Sequence, residues 1–194
     1  VAYAGPFTSA YRRLLVDTWE QSCAERGLAA TTTQDASRGG GGGEGAAGGF
    51  SLVEAMGVPM VIRQWQQMGL PIDDYSTENG LLATLGKRWP LCIDPQAQAN
   101  KWIKSLEGEG ATRSLYVMRP GEKNMLRALE NAVRSGGAVL LEDVAEALDP
   151  SLETVLTQAV YTDQGRTLLK VGDSAVDFND NFRLYITTKL PNPH

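Results

Sequence analysis

Eight consecutive residues, Asp94, Pro95, Gln96, Ala97, Gln98, Ala99, Asn100 and Lys101, stand between an apolar strand and an amphipathic helix, where a phosphate-binding loop is found in α/β folds. Such a loop reads G-x-x-x-x-G-K-[ST]: glycines let backbone N–H groups wrap the phosphates, the lysine reaches terminal phosphate oxygens and the hydroxyl serves magnesium. Here the first glycine position holds Asp94, the second Ala99 and the lysine position Asn100, with Lys101 in place of the hydroxyl. The spacing is that of a phosphate site, and the chemistry of one is missing.

Two acids, Glu142 and Asp143, follow the apolar run Ala138 to Leu141, at the carboxyl end of a strand where open α/β sheets bind ligands. One reading gives them the roles of a magnesium-binding acid and a water-activating acid, in swapped order. The plainer reading is that acids end strands and cap the next loop. Thr187, Thr188 and Lys189 follow the last strand and either sense a terminal phosphate, with Thr188 and Lys189 as the sensor-like pair, or simply end it. The spacing of Trp65, Trp89 and Trp102 suits packing better than base stacking.

The elements that position these residues alternate strand and helix from Trp89 onward, as in a parallel α/β sheet. Strands are predicted at Pro90–Ile93, Leu115–Met118, Ala138–Leu141 and Phe182–Thr187. Asp94 is read as a helix cap with Pro95 in the first turn, ahead of Ala99, Trp102, Ile103 and Leu106 on one face. A second helix after Gly121 carries Met125, Leu126, Leu129, Ala132 and Val133 and stops at Gly136 and Gly137. A third starts at Asp149 and Pro150, passes Leu152, Val155, Leu156 and Ala159, and is ended by Gly165. Thr167–Val171 and Ala175–Phe178 flank Gly172, Asp173 and Ser174 and read as a β-hairpin whose tip is a partner contact or ordinary surface.

Before Trp89 the pattern is less definite. Thr8 caps a helix bearing Tyr11, Leu14, Leu15, Trp19 and Cys23 on one face and ending at Gly27; Phe50–Met56 is a short helix. Val61–Met68 suits strand or helix, and the capping signal at Ser76–Asn79 leaves Leu81–Leu85 balanced between the two. Residues 29–49 include five consecutive glycines and read as a flexible insertion, since no strand leads into a phosphate loop there.

Composition narrows the classes further. A net charge of −5 over 194 residues, with Lys and Arg scattered, gives no basic stripe for nucleic acid or an acidic membrane. Cys23 and Cys92 read as reduced thiols, and the single histidine, His194, leaves no zinc spacing and no catalytic triad. Neither a signal peptide nor a membrane-spanning run is present. A start at Val1 without methionine and a stop just after a strand suggest a piece of a longer polypeptide.

The strings GLPIDDYSTENG, RWPLCIDPQAQANKWIKSLE, LRALENAVRSGGAVLLEDVAEALDPSLE, GRTLLKVGDSAVDF and FRLYITTKLPNPH, with AYAGPFTSAYR near the start, resemble the dynein heavy chain family, specifically the fifth AAA+ module of its six-module motor ring. The resemblance covers nearly everything but the glycine-rich stretch. It implies an α/β fold of the AAA+ (P-loop NTPase-like) large-subdomain type, a parallel sheet in the order 5-1-4-3-2 flanked by helices. A β-hairpin insert lies at 166–178, and the fold is incomplete at the C-terminus, its fifth strand and helical lid lying beyond His194. By the same resemblance residues 1–28 finish the module before, after the returning stalk, and 50–194 form the fifth large subdomain with a degenerate loop at 94–101.

The functional implications follow the family. The module is expected to bind no cofactor, Mg-ATP being used at other modules, and to relay movement mechanically within an ATP-driven, minus-end-directed microtubule motor. A degenerate site that still binds nucleotide through Lys101, Glu142 and Asp143, with a regulatory role, is the alternative. Implied partners are neighbouring AAA+ modules, linker and stalk of the same chain, then microtubules and other dynein chains, with Lys170 and Asp173 at the hairpin tip facing the linker. Likeness of AYAGPFTSAYR and STENGLLATLGKRWPLCIDP to ciliary chains implies an axonemal rather than a cytoplasmic setting.

Overall fold

The computed structural model describes residues 7–26, 51–108 and 113–191. The glycine-rich stretch 29–49, the helix stop at Gly27 and His194 lie outside the described residues.

Four parallel strands form the main sheet: β1 (Leu91–Ile93), β2 (Leu115–Met118), β3 (Ala138–Leu141) and β7 (Arg183–Thr188), in the order β1-β7-β3-β2. With the four strands of the main sheet numbered in chain order this is 1-4-3-2, the order the resemblance implies for these strands. The apolar runs of β3 and β7 are explained by burial on both faces. Ala138 and Leu140 point to one side and Val139 and Leu141 to the other, and all four are buried.

Each face has its own helices. On one, α6 (Met125–Ser135) sets Met125, Leu129 and Val133 against Val139, Leu141, Leu184 and Ile186. On the other, α3 (Pro59–Gln67) and α5 (Gln98–Leu106) bring Trp65, Trp102 and Ile103 onto Ala138, Leu140 and Tyr185. Trp65 and Trp102 meet edge to face at 5.9 Å and Trp89 meets Phe182 at 5.5 Å, so the tryptophans are packing residues. Burial first, then donation to Glu107 Oε1 at 2.7 Å, raises the Tyr185 phenol above its usual range.

The segment with balanced signals, Leu81–Leu85, belongs to a helix, α4 (Asp74–Leu85). Its cap is Asp73, three residues ahead of Ser76, whose carboxylate accepts from the Ser76 N–H at 2.8 Å. Gly80 inside it has a packing reason: a Cβ there would lie 3.1 Å from the Trp65 ring. Val61–Met68 is helical within α3, after a short α2 (Leu52–Met56) capped by Ser51. In α1 (Ser9–Glu25), Tyr11, Leu14 and Trp19 of the expected packing face are exposed. Arg12 docks instead, buried, on Glu78 at 3.2 Å, Asn79 at 2.7 Å and the Tyr75 ring at 4.6 Å. No helix among the described residues is long and apolar enough to cross a membrane.

Two helix expectations are corrected. The helix after β1 begins at Gln98, not beside Pro95, because Asp94 to Ala97 form a loop with Ala97 in the left-handed region at φ 60°. The helix starting at Pro150 is a 3-10 turn (Pro150–Leu152) running into a single turn, α7 (Glu153–Leu156), and does not reach Ala159. Its cap, Asp149, is held below the usual carboxylate range by the Ser151 N–H. Val160–Asp163 is a strand, β4, because β-branched and aromatic residues meet a ready partner. Gly165 therefore makes a turn: Asp163 pairs with Arg166 across Gln164 and Gly165, both at positive φ. The hairpin is the rest of this small antiparallel sheet, β5 (Arg166–Val171) and β6 (Ser174–Asp177), which starts at Val160 rather than at the predicted edge.

Candidate functional site

Parallel pairing carries the ends of β1, β7, β3 and β2 to one edge of the sheet, which gathers the loop 94–101, Thr188 and Lys189, Glu142 and Asp143, and Arg119. The separate sequence signals thus belong to one place.

Within the loop, Asp94 is buried and its carboxylate is fully engaged. The Gln98 N–H donates to Oδ1 at 2.7 Å and the Asn100 N–H to Oδ2 at 2.8 Å, while the Asp94 N–H donates to Thr188 O at 2.7 Å. Asp94 caps α5, as predicted, but from across the Pro95–Ala97 loop rather than from the residue adjoining the helix. Ala97 keeps a left-handed bend that glycine would adopt more easily.

At the lysine position, Asn100 turns into the fold: its Oδ1 accepts from Thr187 Oγ1 at 2.9 Å, and both residues are buried. Lys101 is exposed on α5. Thr188, the first sensor-like residue, donates through Oγ1 to Val144 O at 2.7 Å and accepts from Leu190 N–H at 3.2 Å.

The two acids are neutralised by side chains from three other elements. Glu142, buried, pairs with Lys104 Nζ at 2.6 Å and Arg119 Nη2 at 3.5 Å; Asp143, at φ 55°, pairs with Lys189 Nζ at 3.0 Å and Arg119 Nε at 3.9 Å. Three cations thus surround two carboxylates, a net formal charge of +1. Among the described residues no group of acids, histidines or cysteines is arranged to hold a metal ion. Lys104 and Arg119 escaped the sequence reading. The available signal was that Arg119, like Lys189 and Glu142, immediately follows a strand.

Cys92, on β1 beside this loop, has its thiol pushed up to about 12, first by burial and then by the Asp94 charge. A thiol held that high carries little thiolate at neutral pH and is a poor nucleophile there.

The hairpin is seated on the α6 face: Leu169, Val171 and Val176 enter the same core as Leu129 and Phe182. Near its tip, Thr154 Oγ1 donates to Lys170 O and the Gly172 N–H reaches Ser151 O at 3.4 Å. Lys170 and Asp173 stay exposed on a fixed support.

A parallel sheet ordered 1-4-3-2, with a strand–loop–helix of phosphate-loop spacing on one strand and acids ending the strand two places away, defines an AAA+ large subdomain. Residues 63–194 match the family described as the ATP-binding dynein motor region, and the chain belongs to that family. It is 44% identical over all 194 residues to Dynein axonemal heavy chain 6 of Homo sapiens and 43% identical to Dynein axonemal heavy chain 1 of the same species. It is also 43% identical to the Dynein-1-beta heavy chain, flagellar inner arm I1 complex, of Chlamydomonas reinhardtii. The chain spans 4% of the length of each of these relatives.

Proposed function

We propose that this chain is the fifth AAA+ module of a dynein heavy chain and serves it mechanically, relaying conformational change between the ATP-hydrolysing modules, the linker and the stalk without binding nucleotide itself. The observation that carries this reading is that, Lys101 aside, the groups at the phosphate-loop edge are already bonded to one another. Asn100 is bonded to Thr187, the Asp94 carboxylate takes the Gln98 and Asn100 N–H groups, and Glu142 and Asp143 are paired with Lys104, Arg119 and Lys189. A magnesium ion would have to displace Lys104, Arg119 and Lys189 to find a carboxylate.

The magnitudes agree. Each charge-assisted phosphate contact contributes about 1.5–3 kcal/mol. Losing the lysine and two backbone donors takes a micromolar site, about −8 kcal/mol, past the millimolar level of about −4 kcal/mol. Asp94 adds repulsion to any phosphate brought near.

The parent is then an ATP-driven, minus-end-directed microtubule motor, with this module's direct partners being its neighbours in the ring and, through Lys170 and Asp173, the linker. The names of its relatives support an axonemal setting in a cilium or flagellum. A fluorescent ADP analogue titrated into the chain, with and without Lys101→Ala, separates this reading from a degenerate but working site. No saturable signal is expected in either case; a signal lost on Lys101→Ala would establish the working site.

A further inference from the structure

We propose that the loop holds an internal ligand: the Asp94 carboxylate stands where a phosphate would be gripped, so the module keeps a permanently liganded geometry. This rests on the non-binding reading above and adds a cause to it, an autoinhibitory contact built into the loop.

The first N–H groups of a helix have no acceptor within the helix and take one from outside. Gln98 and Asn100 lie in the first turn of α5, and both donate to Asp94, one to each carboxylate oxygen, at 2.7 and 2.8 Å. The acceptor arrives from four residues before the helix, carried round by the left-handed bend at Ala97, so backbone N–H groups curl about an anion as they do about a phosphate. A second, separate observation completes the substitution. Lys104, Arg119 and Lys189 bring positive charge to Glu142 and Asp143, as a metal ion would, and tie α5 and the ends of β2, β3 and β7 together. A module liganded in this way has no loaded and empty states to pass between. It transmits a push from its neighbours as one body.

Hydrogen exchange of the Gln98 and Asn100 amides on the full chain tests this, because no helical carbonyl accepts from either. Both amides are expected to be protected without nucleotide. In Asp94→Ala their protection falls by about tenfold or more, while Val139–Leu141 in β3 stay unchanged. Millimolar inorganic phosphate restores protection in the Ala variant and does nothing to the unsubstituted chain. Asp94→Asn, with one acceptor oxygen and no charge, gives an intermediate loss and keeps the test open if the Ala variant does not fold. Fast exchange of these amides in the unsubstituted chain overturns the internal ligand and leaves the non-binding reading intact. Absence of phosphate rescue overturns it likewise. Slow exchange together with saturable Mg-ATP binding elsewhere would overturn the non-binding reading alone.

Discussion

Asn100 does more than omit a charge. Its amide oxygen accepts from Thr187 on β7 and becomes part of the seam between α5 and the sheet. Its position in the motif was legible in the sequence, and so was the carboxylate at Asp94, because a phosphate loop has fixed spacing. Lys104 and Arg119 were not, because the pairing of Arg119 with Glu142 spans 23 residues and arises only when strand ends are brought together. Cys92 gives a residue-scale prediction. With its thiol pushed from near 9 to about 12, it should be alkylated at pH 8 far more slowly in the folded chain than in the denatured one. The raised value also signs the linkage: the stabilisation is fully present below pH 9 and is lost as pH climbs from there toward 12. Equal alkylation rates would show the thiol is not shielded.

The elements with strong periodicity, α6 and the four parallel strands, were legible because their patterns are set by burial that repeats along the chain. Where the reading failed, a tertiary partner decided. Val155, Leu156 and Ala159 have helical spacing, yet Val160–Asp163 pairs with Arg166–Leu169 and the helix stops after one turn. Asp73 capped α4 ahead of the expected serine, and Ala97 took a bend that its residue type does not announce. The β5–β6 hairpin carries the prediction at this scale. Because Leu169, Val171 and Val176 anchor it in the core, charge reversal at the tip, Lys170→Glu with Asp173→Lys, should change stability by less than about 0.5 kcal/mol. In the motor it should slow microtubule gliding by weakening linker docking. Unchanged gliding and docking would sink the contact.

For the whole molecule, strand order was legible only through resemblance to a family, since local pattern does not say which strands become neighbours. The sheet is packed by a core on each face, and ion pairs from Lys104, Arg119 and Lys189 join the strand ends at the loop edge. Arg12 joins α1 to α4 through its buried guanidinium, which reaches Glu78 and Asn79. The most direct test of the central claim is calorimetric titration of the chain with Mg-ATP. The account predicts no saturable heat up to millimolar nucleotide, and a saturable isotherm with a sub-millimolar Kd would contradict it.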